Sequence, residues 1–404
     1  MKKISYLIII SLFVCNILSA QTDSSTFHKV EQLVLDAKQQ FAPDKRTKIV
    51  ALVSANAQDN KYVIETTEKL ALQYLNNKKK DISADIKIIS MPDSSIGDKK
   101  FAVINLSVAN FRTQPGNASE MATQALLGTQ VDLLQKNNGE YRVRTPEGYI
   151  SWVPASSLVP MNDQEIKDWK KSKKIIYTDE FGKSYSKPDK ESIRVSDLVN
   201  GNILKLIDSK GDYYKVAYPD KRIAYIPKSQ ALDFDQWLNT RKLTTDHVIS
   251  SAKTMMGLPY LWGGTSVKGV DCSGFTKTAY YMNGYVIPRD ASQQVLAGEK
   301  IDILDKDGHF DPSKALKNLK PADLLFFASG KNSNPNARVT HVALYIGNGE
   351  FIHSAGTVRI NSMLKDAQNY DDFQTRTVVA ARRYVGVEDA QIQKIQDNPY
   401  YKNK

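Results

Sequence analysis

The sequence predicts an α+β protein of two to four domains, and three observations lead there. Apolar residues recur at helical spacing near the start, and two blocks of short alternating strands then repeat one order of motifs. Helical spacing returns at about residue 242, ahead of a hairpin flanked by histidines. A length of 404 residues and 41% hydrophobic residues are enough for several packed cores.

In chain order, "MKKISYLIIISLFVCNILSA" has a basic start, a short apolar run and a small-residue end, so residues 1–20 read as an export signal. The alternative is a lipoprotein signal with Cys15 lipidated, although Val14 is bulky where a small residue is expected. Residues 21–98 read as a helical segment, with Val30, Leu33, Val34 and Ala37 and then Ile64, Leu70, Leu72 and Tyr74 at helical spacing. Residues 99–162 form the first β block. A charged linker helix and the second block occupy 163–236, where "SKGDYYKV" and "RIAYIP" echo "NNGEYRV" and "GYISWVP". A further domain spans 237–386, its first helix starting with Thr245 as N-cap and stopping at Gly257, and residues 387–404 read as a polar tail.

The net charge of +11 suits anionic surroundings such as cell wall or anionic lipid. Export, together with dispersed lysines lacking interleaved aromatics, argues against nucleic acid. No segment after the signal is apolar and long enough to span a bilayer.

Chemistry centres on "PYLWGGTSVKGVDCSGF". Once the signal is removed, Cys272 is the one remaining thiol, in a compartment that favours disulfides. Asp271 is a good N-cap, which makes Cys272 the first residue of a helix that ends at Gly284. The positive helix end is expected to lower the thiol pKa, and its free amides can receive an oxyanion. A small buried hydrophobe is the bland alternative. The glycines of "GLPYLWGG" are expected to let backbone approach a substrate.

A thiol nucleophile needs a base, and "THVALYIGNGEFIHSA" places His341 and His353 on a hairpin around Asn348 and Gly349. A plain two-residue loop puts the two histidines on opposite faces. An odd-length loop with a glycine bulge makes them diagonal neighbours, and that loop is expected here. His341 is then the base and His353 the group that orients it. Metal chemistry is not indicated, for H-E-x-x-H, a second mature cysteine and a well-spaced acidic ligand are all missing. Neither metal nor organic cofactor is expected.

Taken in order, "PYLWGG", "GVDCSGF", "IPRDASQQ", "PADLLFF" and the histidine hairpin resemble the NlpC family of cell-wall cysteine peptidases. The two β blocks resemble bacterial SH3-like domains that precede such a domain in γ-D-glutamyl-L-diamino acid endopeptidases. The resemblance implies a papain-like catalytic domain behind two small SH3-like barrels. It implies Cys272 as nucleophile, His341 as base and His353 as third catalytic residue. Tyr260, Asp271 and Ser273 match substrate neighbours, each with a bland reading as packed aromatic, N-cap and first-turn filler. Glu120, in "RTQPGNASEM", matches an acid that binds the free amine of an N-terminal L-alanine. Asn117 and Glu120 also have the spacing of a capping box, so a first helical turn is a rival account. Tyr149 or Trp152 would supply an aromatic wall, and Arg289, Asp290 and Ser292 are further candidate substrate contacts.

The function expected is hydrolysis of the γ-D-glutamyl-L-diamino acid bond in peptidoglycan-derived peptides with a free L-alanine. The enzyme is expected to be a monomer exported to the periplasm or cell envelope, or secreted. A non-catalytic wall-binding protein, an amidase or acyltransferase on the same fold, and an endopeptidase acting on intact wall remain alternatives.

Overall fold

The computed structural model describes residues 25–330, 337–373 and 375–402. The expected export signal, with Cys15, lies outside the described residues. The protein forms two compact units, one running through Gly97 with Leu134–Lys136 and the other made of the remaining chain.

In the first unit a helix over 25–41 buries Val30, Leu33, Val34 and Ala37, the stripe legible in the sequence. The rest of this segment is not simply helical. Strands Val50–Asn56 and Lys61–Thr66 form an antiparallel pair, and Asp85–Ser90 adds in parallel to the second of them. Helix Lys69–Lys78 makes the crossover that a parallel pair requires. Ile64 is therefore a buried strand residue, while Leu70 is exposed. "KYVIET" is short and β-branched, and its tertiary pairing overrides the helical spacing.

The second unit begins with two seven-stranded antiparallel sheets of similar plan. The first runs in the order Leu158–Met161, Phe101–Ile104, Gln130–Asn137, Glu140–Arg144, Ile150–Pro154, Val108–Arg112 and Met121–Leu126. The second uses strands between Lys174 and Asp233. In each, one 3-10 turn, Ala155–Ser157 or Lys228–Gln230, precedes the last short strand, so the repeat extends to the turns. Helix Asp163–Lys171 separates them, closed at its start by a capping box between Asn162 and Glu165. No helix begins at Asn117. Residues 113–120 are turns that lead into strand Met121–Leu126, so the capping-box reading of Glu120 fails.

The third part is a six-stranded antiparallel sheet: Glu299–Ile301, Arg376–Arg383, Leu324–Ser329, Val339–Gly347, Glu350–Ala355 and Thr357–Ser362. Helix Cys272–Tyr281 buries Phe275 and Ala279 in one cluster with Phe326, Val342, Leu344 and Ile352. A second cluster around Leu325, Phe327, Tyr345 and Phe351 also takes in Ala315 of helix Pro312–Asn318. Helix Thr245–Lys253 is capped by Thr244, one residue earlier than expected, because the Thr244 hydroxyl accepts the His247 amide.

Residues 387–402 are not a free polar tail. Gln393–Lys394 pairs with Tyr285–Val286, Ile395 and Asn398 are buried, and Asn398 donates to the Pro146 carbonyl of the first barrel. Tyr400 donates to Asp132 at 2.6 Å. Ile392, Ile395 and Asn398, buried at every third position, let an otherwise polar stretch serve as a strap.

Candidate active site

Asp271 caps the cysteine helix as the sequence implies, its Oδ1 accepting the Gly274 amide at 2.7 Å. Its other oxygen accepts the Gly263 amide at 2.9 Å, so one carboxylate holds both the helix start and the loop before it. The glycines of that loop serve close backbone packing. A Cβ on Gly274 would run into the Gly264 carbonyl, and one on Gly263 would meet the Met121 carbonyl.

Arg289 is a correction to the expectation of a substrate contact. It is 1% exposed and bidentate on Asp271, with NH2 to Oδ2 at 2.6 Å and NH1 to Oδ1 at 3.1 Å. It also donates to Ser273 Oγ at 2.9 Å and to Thr123 Oγ1 of the first barrel at 2.8 Å. Burial works against this charge, but the Asp271 carboxylate outweighs it and holds the guanidinium above its usual range. Ser273 is buried, its hydroxyl donating to Asp271 and accepting from Arg289, so its one donor is spent on the cap.

Cys272 is the first residue of the helix and 6% exposed. The expected lowering of its pKa is not what the site produces. Burial, with Asp271 next to it, pushes the thiol up to about 12, against the backbone amides of Val342 and Ser273 and the charge of Arg289. Tyr260, half-buried, also has its hydroxyl pushed up, by burial first and then by Cys272 and Asp271 beside it. Val342, the residue after His341, turns its backbone amide towards the thiol.

The hairpin tip is Asn348 and Gly349, with φ of 51° and 79°, and Gly347 pairs with Glu350. A bulge then shifts the register between Tyr345 and Gly347. The tip itself keeps two residues and the odd residue sits in the strand, so His341 and His353 come to one face. His341 Nε2 lies 2.9 Å from His353 Nδ1, and His353 Nε2 lies 3.1 Å from Asn361 Oδ1. Burial drives the His341 imidazolium well below its usual range, helped by His353, Arg376 and Arg359. Burial lowers fully buried His353 to about 4, with Arg376 acting in the same direction and Asn361 against it. In the substrate-free site burial thus disfavours the charged forms of the thiol and of both imidazoles.

Glu120 stands just before strand Met121–Leu126 and accepts the indole N–H of Trp262 at 2.9 Å. Trp262 is 59% exposed and lies two residues beyond Tyr260, so Glu120 sits on the loop that carries that tyrosine. The junction beneath is buried: Gln124 accepts the Thr265 amide and the Ser266 hydroxyl through Oε1. Tyr149 reaches the catalytic domain, donating to Asp290 at 3.3 Å. Trp152 is buried among barrel arginines instead, under the Arg142 guanidinium and in register with Arg112. Ser292 is half-buried in the short helix Ala291–Gln294. Sequence reasoning missed Trp262, Gln124 and Asn361. Only Trp262 had a signal, an aromatic inside a glycine loop.

Among the described residues, no group of three or more His, Cys, Asp or Glu side chains could hold a metal ion, and no helix is long and apolar enough to cross a membrane.

The NlpC/P60 family profile matches residues 257–381, and the bacterial dipeptidyl-peptidase Sh3 domain profile matches residues 111–158. A γ-D-glutamyl-L-lysine dipeptidyl-peptidase of Bacillus cereus is 32% identical over 248 residues, covering 59% of this chain and 68% of that protein. The Bacillus subtilis protein of the same name is 30% identical, over 58% of this chain and 72% of its own. The crystal structure of an NlpC/P60 family protein from Bacillus cereus aligns with a TM-score of 0.57 at 26% identity, covering 70% of this chain and 99% of that one. With two relatives matched over more than two thirds of their lengths, and with the cysteine helix and histidine hairpin in place, the chain belongs to the NlpC/P60 family of cysteine peptidases.

Proposed function

We propose that this protein is a cysteine endopeptidase that hydrolyses the γ-D-glutamyl-L-diamino acid bond of peptidoglycan stem peptides bearing a free N-terminal L-alanine. One observation carries the reading. The barrel strand that follows Glu120 is bonded through Thr123 and Gln124 into the network that holds Cys272 and into the loop beyond Tyr260. An acid mounted that firmly at the rim suits a substrate ammonium, and a blocked amine would forfeit a charge-assisted hydrogen bond.

In the reaction, His341 takes the thiol proton as sulfur attacks the γ-carbonyl of D-glutamate, which leaves the carbonyl oxygen as an oxyanion. Backbone amide at the helix start, with Tyr260, receives that oxyanion. His341 then returns the proton to the leaving amine of the diamino acid, and a thioester remains. Water, deprotonated by His341, hydrolyses the thioester and restores the thiol. His353 holds the base in place. We further infer export to the cell envelope or the exterior, where peptidoglycan-derived peptides are met, and action as a monomer.

The test is mass spectrometry of products from L-alanyl-γ-D-glutamyl-diaminopimelate, with and without an N-acetyl block, using wild type and Cys272→Ser. Cleavage of the free-amine peptide alone, with release of L-alanyl-D-glutamate and an inactive variant, is expected. Equal cleavage of both peptides overturns the role of Glu120, and cleavage of neither overturns the activity.

A further inference from the structure

The histidine pair works in the direction proposed above only if its protons point one way, and the following inference rests on that reading. A neutral imidazole bridging two partners donates from one nitrogen and accepts at the other. The row His341–His353–Asn361 therefore has two internally consistent states. In one, each imidazole donates towards Asn361 and His341 keeps a bare Nδ1. In the other, every proton is reversed and His341 Nδ1 carries hydrogen, which removes it as a base.

The carboxamide of Asn361 decides between them. Its Nδ2 donates to the Asn369 carbonyl at 3.1 Å, and its Oδ1 receives the Arg359 Nε–H at 3.1 Å. Turning the amide over would set NH2 against a guanidinium and oxygen against a carbonyl, so two neighbours hold the oxygen towards His353. His353 Nε2 must then donate to that oxygen, His353 Nδ1 must accept, and His341 Nε2 must donate to it. The sheet builds this row. His353 pairs with Arg359 and Phe351 with Asn361 across adjacent strands, so His353, Arg359 and Asn361 share one face, to which the hairpin bulge brings His341.

We propose that Asn361 is a positioning residue that sets the tautomer of His341 through His353, leaving Nδ1 of His341 as the atom that receives the thiol proton. The charged and titratable groups around His353 are His341 on its own sheet face, Arg359 on the next strand, Arg376 on strand Arg376–Arg383 and Asp371 in the segment before it. Burial first, and then two arginines against one aspartate, disfavour an imidazolium, so the proton positions within the pair matter.

The experiment combines 15N imidazole spectra of the substrate-free protein with kcat, KM and thermal midpoints for wild type, Asn361→Leu and Asn361→Asp. Wild type should show His341 protonated on Nε2. Asn361→Leu should mix the tautomers and lower kcat by about 10-fold or more, with KM within about twofold. Asn361→Asp keeps an acceptor, so it should hold the tautomer and most of kcat, while the acid limb of its profile moves to higher pH as a carboxylate favours the imidazolium. His341 protonated on Nδ1 in wild type overturns the proposal. So does an equal kcat loss in both variants that tracks the thermal midpoint. The spectra need no substrate, so an inactive wild type would defeat the assigned reaction while the tautomer is still read.

Discussion

Replacing Arg289 with Met removes a buried cation but leaves most of its volume, so the change isolates charge and hydrogen bonding. Arg289 and Asp271 are 1% and 6% exposed and joined by two hydrogen bonds, and Arg289 makes further bonds to Ser273 and Thr123. Breaking a buried pair by removing one partner costs about 3–5 kcal/mol, because the survivor stays desolvated and unpaired. Asp271 keeps the Gly274 and Gly263 amides as partners, which places the expected loss near the lower end, about 3 kcal/mol. Urea denaturation followed by tryptophan fluorescence measures it, and Asp271→Asn with the double variant completes the cycle. The double variant should recover part of the loss, since two neutral partners leave no stranded charge. A cost below about 1 kcal/mol for Arg289→Met, or strict additivity in the cycle, would refute the claim that this pair ties the barrel to the cysteine helix.

Glu120→Gln should lower kcat/KM on the free-amine peptide by about 10- to 100-fold, as expected for loss of a charge-assisted hydrogen bond, and leave the N-acetyl peptide unaffected. Competition between the two peptides in one mass-spectrometric assay measures that selectivity. The pH profile follows from the buried histidines. A base of ordinary pKa 6.5 is only about one-tenth neutral at pH 5.5, but His341 is held well below that value, so more than half of maximal kcat/KM should remain there. A loss of nine-tenths at pH 5.5 would contradict it. His353 has the same sign in stability: lowered from 6.5 to about 4, it contributes fully above the unfolded value, and the contribution is lost as pH falls towards 4. Urea curves for wild type and His353→Asn at pH 7 and pH 4.5 should differ in pH dependence by about 2.4 kcal/mol, and matching slopes would refute it.

The parts of the site legible in the sequence were those encoded locally. An Asp–Cys–Ser–Gly run states its own N-cap, and an Asn–Gly tip between two histidines poses a parity question that only a bulge answers in favour of a pair. Where partners are far apart, local pattern carried nothing. Arg289 meets Thr123 across 166 positions, Trp262 meets Glu120 across 142, and Thr265 meets Gln124 across 141. Cys272 fell between these cases, because its helix position was legible but the burial that opposes ionisation comes from distant packing. The strand Asp85–Ser90 of the first unit was missed for the same reason, since its partner strand Lys61–Thr66 lies outside any short window.

The strap over residues 387–402 has a kinetic meaning as well. Its Tyr400–Asp132 contact closes a separation of 268 residues, among the most non-local contacts in the chain. Such contacts are made late, since the entropy of joining distant segments is spent before the contact returns any energy. The first barrel can form its own sheet early, but the surface that the strap covers is finished only after the cysteine domain is in place. We therefore expect docking of the first barrel onto the cysteine domain to be ordered in time, with the strap as its closing step.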